Sequence, residues 1–362
     1  MNTPEDEHTA PDNETEAARA LPEEEELYAQ LRLTVDPNQD SLRIDKFLSR
    51  RMGQVSRNRL QNAAHAGYLQ VNDKAVRPNY KIKPGDLISL VLPQPPRDTQ
   101  AQPEDIPLEI LYEDERILLV NKPAGLVVHP GVGNPSGTLV NGLLHHFGQL
   151  PPAKGRGAGV RPGLVHRIDK DTSGVLVVAK EEYSLSHLAG QFARHSITRS
   201  YKALVWGDIK ADSGTIDIPI GRDPRFRQRQ AAFPDRTQGK EAITHYTVLE
   251  RLIYATLVEC RLETGRTHQI RVHMKHLGHP LFADETYGGK RIVAGPSFTR
   301  FRQFVQNTFQ VLNRQALHAA TLGFLHPQNS EKMHFEAPLP EDFRKGLERW
   351  QQLSRQLNQT GH

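Results

Sequence analysis

The apolar positions of this chain fall into stretches of strand period and stretches of helix period, separated by turns. Leu31-Arg32-Leu33-Thr34-Val35 alternates and predicts a short strand. Leu42, Ile44, Phe47 and Leu48 then recur at near-helical spacing, with Arg43, Lys46, Arg50 and Arg51 on the exposed positions. Ser56 reads as the N-cap of a second helix that turns Leu60 and Ala64 inward and carries Arg57 and Arg59 in its first turn. Cations there oppose the helix dipole at a cost of roughly a few tenths of a kcal/mol, and a bound phosphate would reverse the sign. Tyr68 to Val71, the Asn72-Asp73 turn and Lys74-Ala75-Val76 predict a hairpin, and Lys83-Pro84-Gly85-Asp86 turns into a strand from Leu87 to Leu92.

A Pro-rich stretch of low hydrophobicity, 93–107, reads as a linker. Beyond it, strands are predicted over Leu108–Tyr112 and Ile117–Val120, and on both sides of the turn in Asn121-Lys122-Pro123-Ala124-Gly125-Leu126-Val127-Val128-His129-Pro130. A short helix follows from about Thr138 to His146 and an apolar strand over Val175–Ala179. Helix spacing returns at Leu185, Leu188 and Phe192, and strands are predicted at Thr198–Gly207, 242–249 and 255–263. The run from Thr264 through Lys275 opens a helix that ends at Gly278. A helix near Phe298–Phe309, strands over Ala316–Phe324 and Met333–Phe335, and a terminal helix over 340–356 complete the pattern. Periodicity alone supports a chain of mixed α and β elements in two domains.

Charge sharpens this picture. Residues 1–26 hold ten acids and one base, Arg19, so a chain of net +4 carries −9 there and +13 beyond it. The first 27 residues, poor in large apolar side chains, read as a disordered acidic tail, and a body that basic favours a polyanionic partner such as nucleic acid. Residues 41–92 alone hold ten bases and three acids, +7. The single cysteine, Cys260, fits a reducing cytoplasm and leaves no cysteine-based metal site. No apolar run nears the ~20 residues of a membrane span, and the N-terminus lacks a secretory pattern. A soluble cytoplasmic protein is expected.

The candidate chemistry concentrates in Arg161-Pro162-Gly163-Leu164-Val165-His166-Arg167-Ile168-Asp169-Lys170-Asp171-Thr172-Ser173-Gly174. Basic residues beside carboxylates in a glycine-bounded turn suit a site that grips a polyanion and presents one ionised acid to it. The segment resembles the His-Arg-Leu-Asp motif of RluA-type RNA pseudouridine synthases, with Ile168 in place of leucine. The run from Asn121 to Pro130 is similar to a second motif of that family, of largely architectural role. The two small helices, short strands and turns of residues 41–92 resemble the S4 RNA-binding module. The resemblance implies an α+β fold: an S4 module over 28–92 joined to a catalytic domain over 108–356 with a mixed, mostly antiparallel sheet.

It also implies roles. Breaking the bond between ribose C1′ and uracil N1, turning the base and rejoining it through C5 calls for an ionised carboxylate as nucleophile, with no metal or organic cofactor. Asp169 occupies the position of the family's catalytic aspartate. Arg167 matches the arginine that fills the space of the displaced nucleotide. Tyr201 matches the tyrosine that stacks on uracil and handles a proton, and Arg271 the basic residue that pairs with the aspartate and keeps it anionic. Arg266 competes with Arg271 for that place and otherwise suits an RNA phosphate. Arg43, Lys46, Arg57, Arg59, Lys74 and Arg77 in the S4-like module, with Arg266 and His268, are the expected RNA contacts.

The histidines at 268, 273, 276 and 279 lack a metal-binding pattern, so no metal is expected. Asp171-Thr172-Ser173-Gly174 departs from an aspartic-protease loop by its extra serine and has no second copy. A non-catalytic S4-type protein of ribosome assembly would have no use for Asp169, Arg167, Tyr201 and Arg271 together. The S4 module and the stretch from Tyr287-Gly288-Gly289 to His318 are most similar to family members acting on large-subunit ribosomal RNA, with transfer RNA the alternative substrate. The expected partner is that ribosomal RNA or a pre-ribosomal particle, met by a monomer.

Overall fold

The computed structural model describes residues 27–52, 55–93, 101–131, 133–148, 163–226 and 229–359. The predicted acidic tail, but for Leu27, and residues 94–100 of the predicted linker lie outside them, as do Arg161 and Pro162.

The first module contains β1 (Tyr28–Thr34), α1 (Ile44–Met52), α2 (Arg57–His65), β2 (Leu69–Val71), β3 (Lys74–Ala75) and β4 (Leu87–Pro93). Its strands form an antiparallel sheet in the order β1-β4-β2-β3. The hairpin turns through Asn72 and Asp73, both left-handed at φ 51° and 62°, as a primed two-residue turn requires. Ile44, Phe47, Leu48 and Leu60 pack with Ile88 and Leu90 into a core of its own. The Ser56 hydroxyl accepts from the Arg59 N–H at 3.4 Å, the predicted cap.

The larger module runs β5 (Ile110–Glu113), β6 (Ile117–Lys122), α3 (Leu139–Gly148), β7 (Gly163–Leu164), β8 (Ser173–Ala179), α4 (Glu182–Ala193), β9 (Thr198–Trp206), β10 (Ser213–Asp217), β11 (Ile220–Arg222) and β12 (Gln230–Ala232). It continues with β13 (Ile243–Arg251), β14 (Ala255–Leu262), α5 (Gln269–His276), α6 (Thr299–Val311), β15 (Leu317–Leu325), β16 (Lys332–Glu336) and α7 (Glu341–Gln359). A ten-stranded sheet has the order β10-β13-β14-β9-β15-β8-β6-β5, with β16 on β15 and β7 on β8. All its pairings are antiparallel except β8 with β15. The fold is α+β, as expected.

The run Val175–Ala179 is apolar throughout because both faces of β8 are covered. Leu176 and Val178 join the core that holds Leu139 and Leu143 of α3 and Ile270 and Met274 of α5. Val175, Val177 and Ala179 join the core under α4, with Leu188 and Phe192. Where β8 meets β15 the backbones press together: a Cβ on Gly174, at φ 122°, would lie 2.1 Å from the Ala319 carbonyl oxygen. Only glycine fits, and the chain arrives there directly from the loop holding Asp169.

Two expectations are corrected, and three short strands are added. No strand follows the Pro123–Gly125 turn. The Val127 and Val128 carbonyls instead accept from the Leu139 and Val140 N–H groups at 2.8 and 3.1 Å, satisfying the first turn of α3. The helix predicted from Thr264 begins only at Gln269, because His268 is left-handed at φ 56°; it does end at Gly278, φ 84°. Strands β10 to β12 were not anticipated, since they are three to five residues long and too short to show a period.

Candidate active site

The loop between β7 and β8 closes on itself where the Thr172 N–H donates to the Asp169 carbonyl at 3.1 Å. Two buried cations fix it through its backbone. Lys122, at the end of β6, donates from Nζ to the carbonyls of Pro123, Leu126 and Lys170 at 2.8, 2.8 and 2.9 Å. Burial pulls its ammonium down to about 7, against Asp169 and Asp171, which raise it. On the far side Arg314 donates to the Asp171 carbonyl at 2.8 Å, while two further bonds of 2.7 and 2.9 Å tie it to Asp342 of α7. These contacts place Asp169 from elements that lie some 50 and 140 residues away in sequence.

The carboxylate meets α5 from across the cleft. Arg271 Nη1 donates to Asp169 Oδ2 at 3.0 Å. Its Nε and Nη2 hold the fully buried Asp284 in a fork at 2.7 and 3.0 Å, and its guanidinium lies 4.9 Å from the centre of the Tyr287 ring. The Tyr287 N–H also donates to Asp284, at 3.1 Å. A guanidinium fixed on one side by a buried carboxylate presents its remaining edge in one orientation. Burial pushes the Asp169 carboxyl up, but His268, Arg271 and Arg167 together bring it below the ordinary aspartate value of 3.8. Asp169 is therefore ionised at neutral pH.

His268 Nε2 stands 3.9 Å from Asp169 Oδ1, and its other ring nitrogen meets the Tyr287 hydroxyl at 2.8 Å. The left-handed backbone of this residue, immediately before α5 begins, is strain at a site where a side chain must be aimed. Gln269 holds the loop before it, accepting from the Arg266 N–H and the Thr264 hydroxyl, each at 2.9 Å, and donating to Thr244 at 3.0 Å.

Tyr201, on β9 between Cys260 and Ala319 of the neighbouring strands, is buried in the core face below the loop. Burial and Asp169 raise its hydroxyl above the ordinary 10, with Arg199 opposing, so it is a neutral phenol at physiological pH. Arg167 is exposed. Arg167, Asp169, Tyr201, Arg266 and His268 all line one cleft of about 480 Å³. The structure thus brings these predicted residues together, and Arg271 rather than Arg266 pairs with Asp169. Arg266 instead donates from Nε to the Glu241 carbonyl at 2.9 Å.

The cations of the first module divide. Lys46, Lys74 and Arg77 are exposed. Arg43 and Arg57 each bond the buried Asp45 at 2.9 Å. Arg59 turns inward to the Pro93 carbonyl and lies 3.6 Å from Glu182 of α4, so it is not among the exposed cations of the module. The other histidines serve the fold: His273 bonds Thr244 and the Ile218 carbonyl at 2.9 Å each, and His279 the Trp206 carbonyl at 2.8 Å. Among the described residues no three His, Cys, Asp or Glu side chains gather as a metal ion would require, and no helix is long and apolar enough to cross a membrane.

Asp284, Tyr287 and Arg314 were given no role from sequence, and Lys122 only as part of an architectural motif. They act on Arg271, His268, Asp342 and backbone carbonyls, distant in sequence, and no local spacing encodes that.

An anionic carboxylate on a clamped loop, facing a cation-lined cleft with a neutral phenol in its wall, suits a site that grips a polyanion and presents an ionised acid to it. Residues 116–276 match the RNA pseudouridylate synthase family and residues 42–88 the S4 domain. An uncharacterized RNA pseudouridine synthase of Bacillus subtilis is 47% identical over 88% of this chain and 97% of its own. Ribosomal large subunit pseudouridine synthase D of Zymomonas mobilis is 46% identical over 83% of this chain and 91% of its own. Among solved structures, human RNA pseudouridylate synthase domain containing 4 superposes with a TM-score of 0.50 at 25% identity, covering 67% of this chain and 93% of that one. The chain belongs to the RNA pseudouridine synthases: it is an isomerase that converts uridine to pseudouridine in RNA, with an S4 RNA-binding domain ahead of its catalytic domain.

Proposed function

We propose that this enzyme modifies uridines of large-subunit ribosomal RNA, with Asp169 as its nucleophile. The observation that carries the reading is the division between the two carboxylate oxygens. Oδ2 is held by Arg271 at 3.0 Å, which keeps the group ionised and fixes its plane. Among the described residues Oδ1 meets only the His268 ring, at 3.9 Å, and is the oxygen left to attack the flipped nucleotide, at ribose C1′ or on the uracil ring.

The target leaves its stack at a cost of roughly a few kcal/mol. Arg167, exposed beside the cleft, supports the reading that it fills the vacated space. Tyr201 offers a stacking face worth ~1–3 kcal/mol. Once the bond from C1′ to N1 is broken and the base turned, C1′ joins C5, and the proton on C5 must leave while N1 gains one. Because the Tyr201 phenol starts protonated, it suits a relay that gives one proton and takes another, with Asp169 the other available base.

Large-subunit RNA as substrate is supported by relatives in Zymomonas mobilis, Nitrosomonas europaea and Haemophilus influenzae, each named ribosomal large subunit pseudouridine synthase D and 40 to 46% identical. The exposed Lys46, Lys74 and Arg77 suit the phosphate contacts of a structured RNA read by shape. The test is to map pseudouridines in ribosomal and transfer RNA of a deletion strain, complemented with the wild-type gene or with Asp169→Ala. Large-subunit sites that vanish on deletion, return with the wild type and stay absent with Asp169→Ala are expected. Loss confined to transfer RNA would overturn the substrate, and restoration by Asp169→Ala would overturn the nucleophile.

A further inference from the structure

The S4 module sits against the catalytic domain along α4, and the seam is shaped rather than incidental. Tyr68, buried, packs its ring where Gly190 of α4 has no side chain: a Cβ there would lie 2.2 Å from the ring. Arg194, just past the end of α4, stands 4.4 Å over the centre of the same ring and donates to the Gly67 carbonyl at 3.0 Å. Gln30 of β1 donates to the Ala193 carbonyl at 3.0 Å, and Arg59 reaches Glu182 at the other end of the helix. Helix α4 follows β8, the strand fed by the Asp169 loop, so a module seated on α4 has a fixed position relative to the nucleophile.

The consequence appears at the start of β1. Leu27 and Tyr28 line the same cleft as Asp169 and Tyr201, next to Arg199. Leu27 packs against the core that contains Tyr201 and Ile168, and Tyr28 against the core that contains Val165. An aromatic ring beside an arginine in a cleft built for RNA is a place for a base to stack.

We infer that the S4 module completes the catalytic cleft: seated on α4, it presents Tyr28 to a nucleotide flanking the target uridine, and so governs the rate of the bound complex as well as affinity. This rests on the cleft being the reaction site, and it gives the module a second role beyond phosphate contacts. Tyr28 is a positioning residue for the substrate, and α4 is the seat that aims it.

The test uses the full chain, at saturating enzyme in single turnover, on a transcript of the large-subunit RNA region carrying the mapped site. Tyr28→Ala should slow the bound-state rate by about tenfold or more and weaken RNA binding by up to about the same factor, the scale of one lost base stack, while the salt dependence of binding changes little. Tyr28→Phe should restore the rate, because the ring and not the hydroxyl is used. Gly190→Leu should displace Tyr68, enlarge the radius of gyration in small-angle scattering and reproduce the slow rate with the S4 cations still on the chain. If Gly190→Leu does not fold, Tyr28→Ala against Tyr28→Phe decides alone. A wild-type bound-state rate in Tyr28→Ala, or in an undocked Gly190→Leu protein, overturns the inference. Turnover by Asp169→Ala would instead overturn the reading of the cleft on which it rests, so the two failures are distinguishable.

Discussion

Two arginine–aspartate clusters in this molecule share their ingredients and differ in which partner is hidden. In the catalytic domain one buried arginine, Arg271, stands between two acids: Asp284, fully buried, and Asp169, which is offered to the cleft. In the S4 module one buried acid, Asp45, stands between Arg43 and Arg57, both about half exposed. The first arrangement displays a carboxylate and the second displays guanidinium groups. Burying the counter-ion determines which charge the surface presents: a carboxylate in the catalytic cleft, guanidinium groups on the S4 module. Both acids are held ionised against the upward push of burial: Asp169 sits below its ordinary value and Asp45 is brought down to about 2 by Arg57 and Arg43.

The largest effect expected is at the displayed acid. Asp169→Asn should bring turnover to below a few per cent of wild type, while RNA affinity, measured by filter binding, stays within a few fold, because phosphate contacts are untouched. Next is Tyr201→Phe, which keeps the stacking face and removes the relay. Product formation should fall by about 10²-fold or more with binding unchanged. A wild-type rate there would reduce Tyr201 to a platform.

Arg271→Gln strips the cation from both acids. It leaves Asp284 buried without its partner, so stability in urea should fall by about 3–5 kcal/mol. It also removes a group that lowers the Asp169 carboxyl. In the wild type the ionised form persists until the pH falls below the ordinary aspartate range, so the acid limb of the single-turnover rate lies there. In Arg271→Gln the limb should move to higher pH, and Arg271→Lys should restore part of the shift. An unmoved limb would separate Arg271 from the ionisation of Asp169.

The smallest effect on chemistry belongs to the exposed cations of the S4 module. Replacing Lys46, Lys74 and Arg77 together with Gln should weaken RNA binding and lower the log–log salt slope by about two to three, with the bound-state rate unchanged. A constant slope would assign that face to something other than this RNA. Asp45 has its own pH signature: a depressed carboxyl stabilises the module above the unfolded value, and that contribution is lost as the pH falls toward about 2.

What the sequence disclosed follows from how each feature is encoded. Val175–Ala179, the α2 cap at Ser56 and the Asn72-Asp73 turn were legible because period, capping and turn chemistry are local. Asp169, Arg167, Tyr201 and Arg271 were legible through motifs, and the structure brings Arg271 onto Asp169 across 102 positions of sequence. The supports were hidden. Lys122 and Arg314 grip carbonyls, which leave no trace in residue type. Asp284 is one acid among many until its fork with Arg271 is seen. The seat of the S4 module depends on an absent side chain at Gly190, and nothing in the local pattern marks that glycine for Tyr68.

The claim that Asp169 attacks the nucleotide is tested most directly on a substrate whose C5 carries fluorine, since attack is then separated from removal of the C5 proton. A transcript with 5-fluorouridine at the mapped position is incubated with excess enzyme, digested to nucleosides and examined by mass spectrometry. The account predicts that wild type and Tyr201→Phe consume the 5-fluorouridine, while Asp169→Asn, binding the same RNA, leaves it intact. Consumption by Asp169→Asn at a rate near that of the wild type would contradict it.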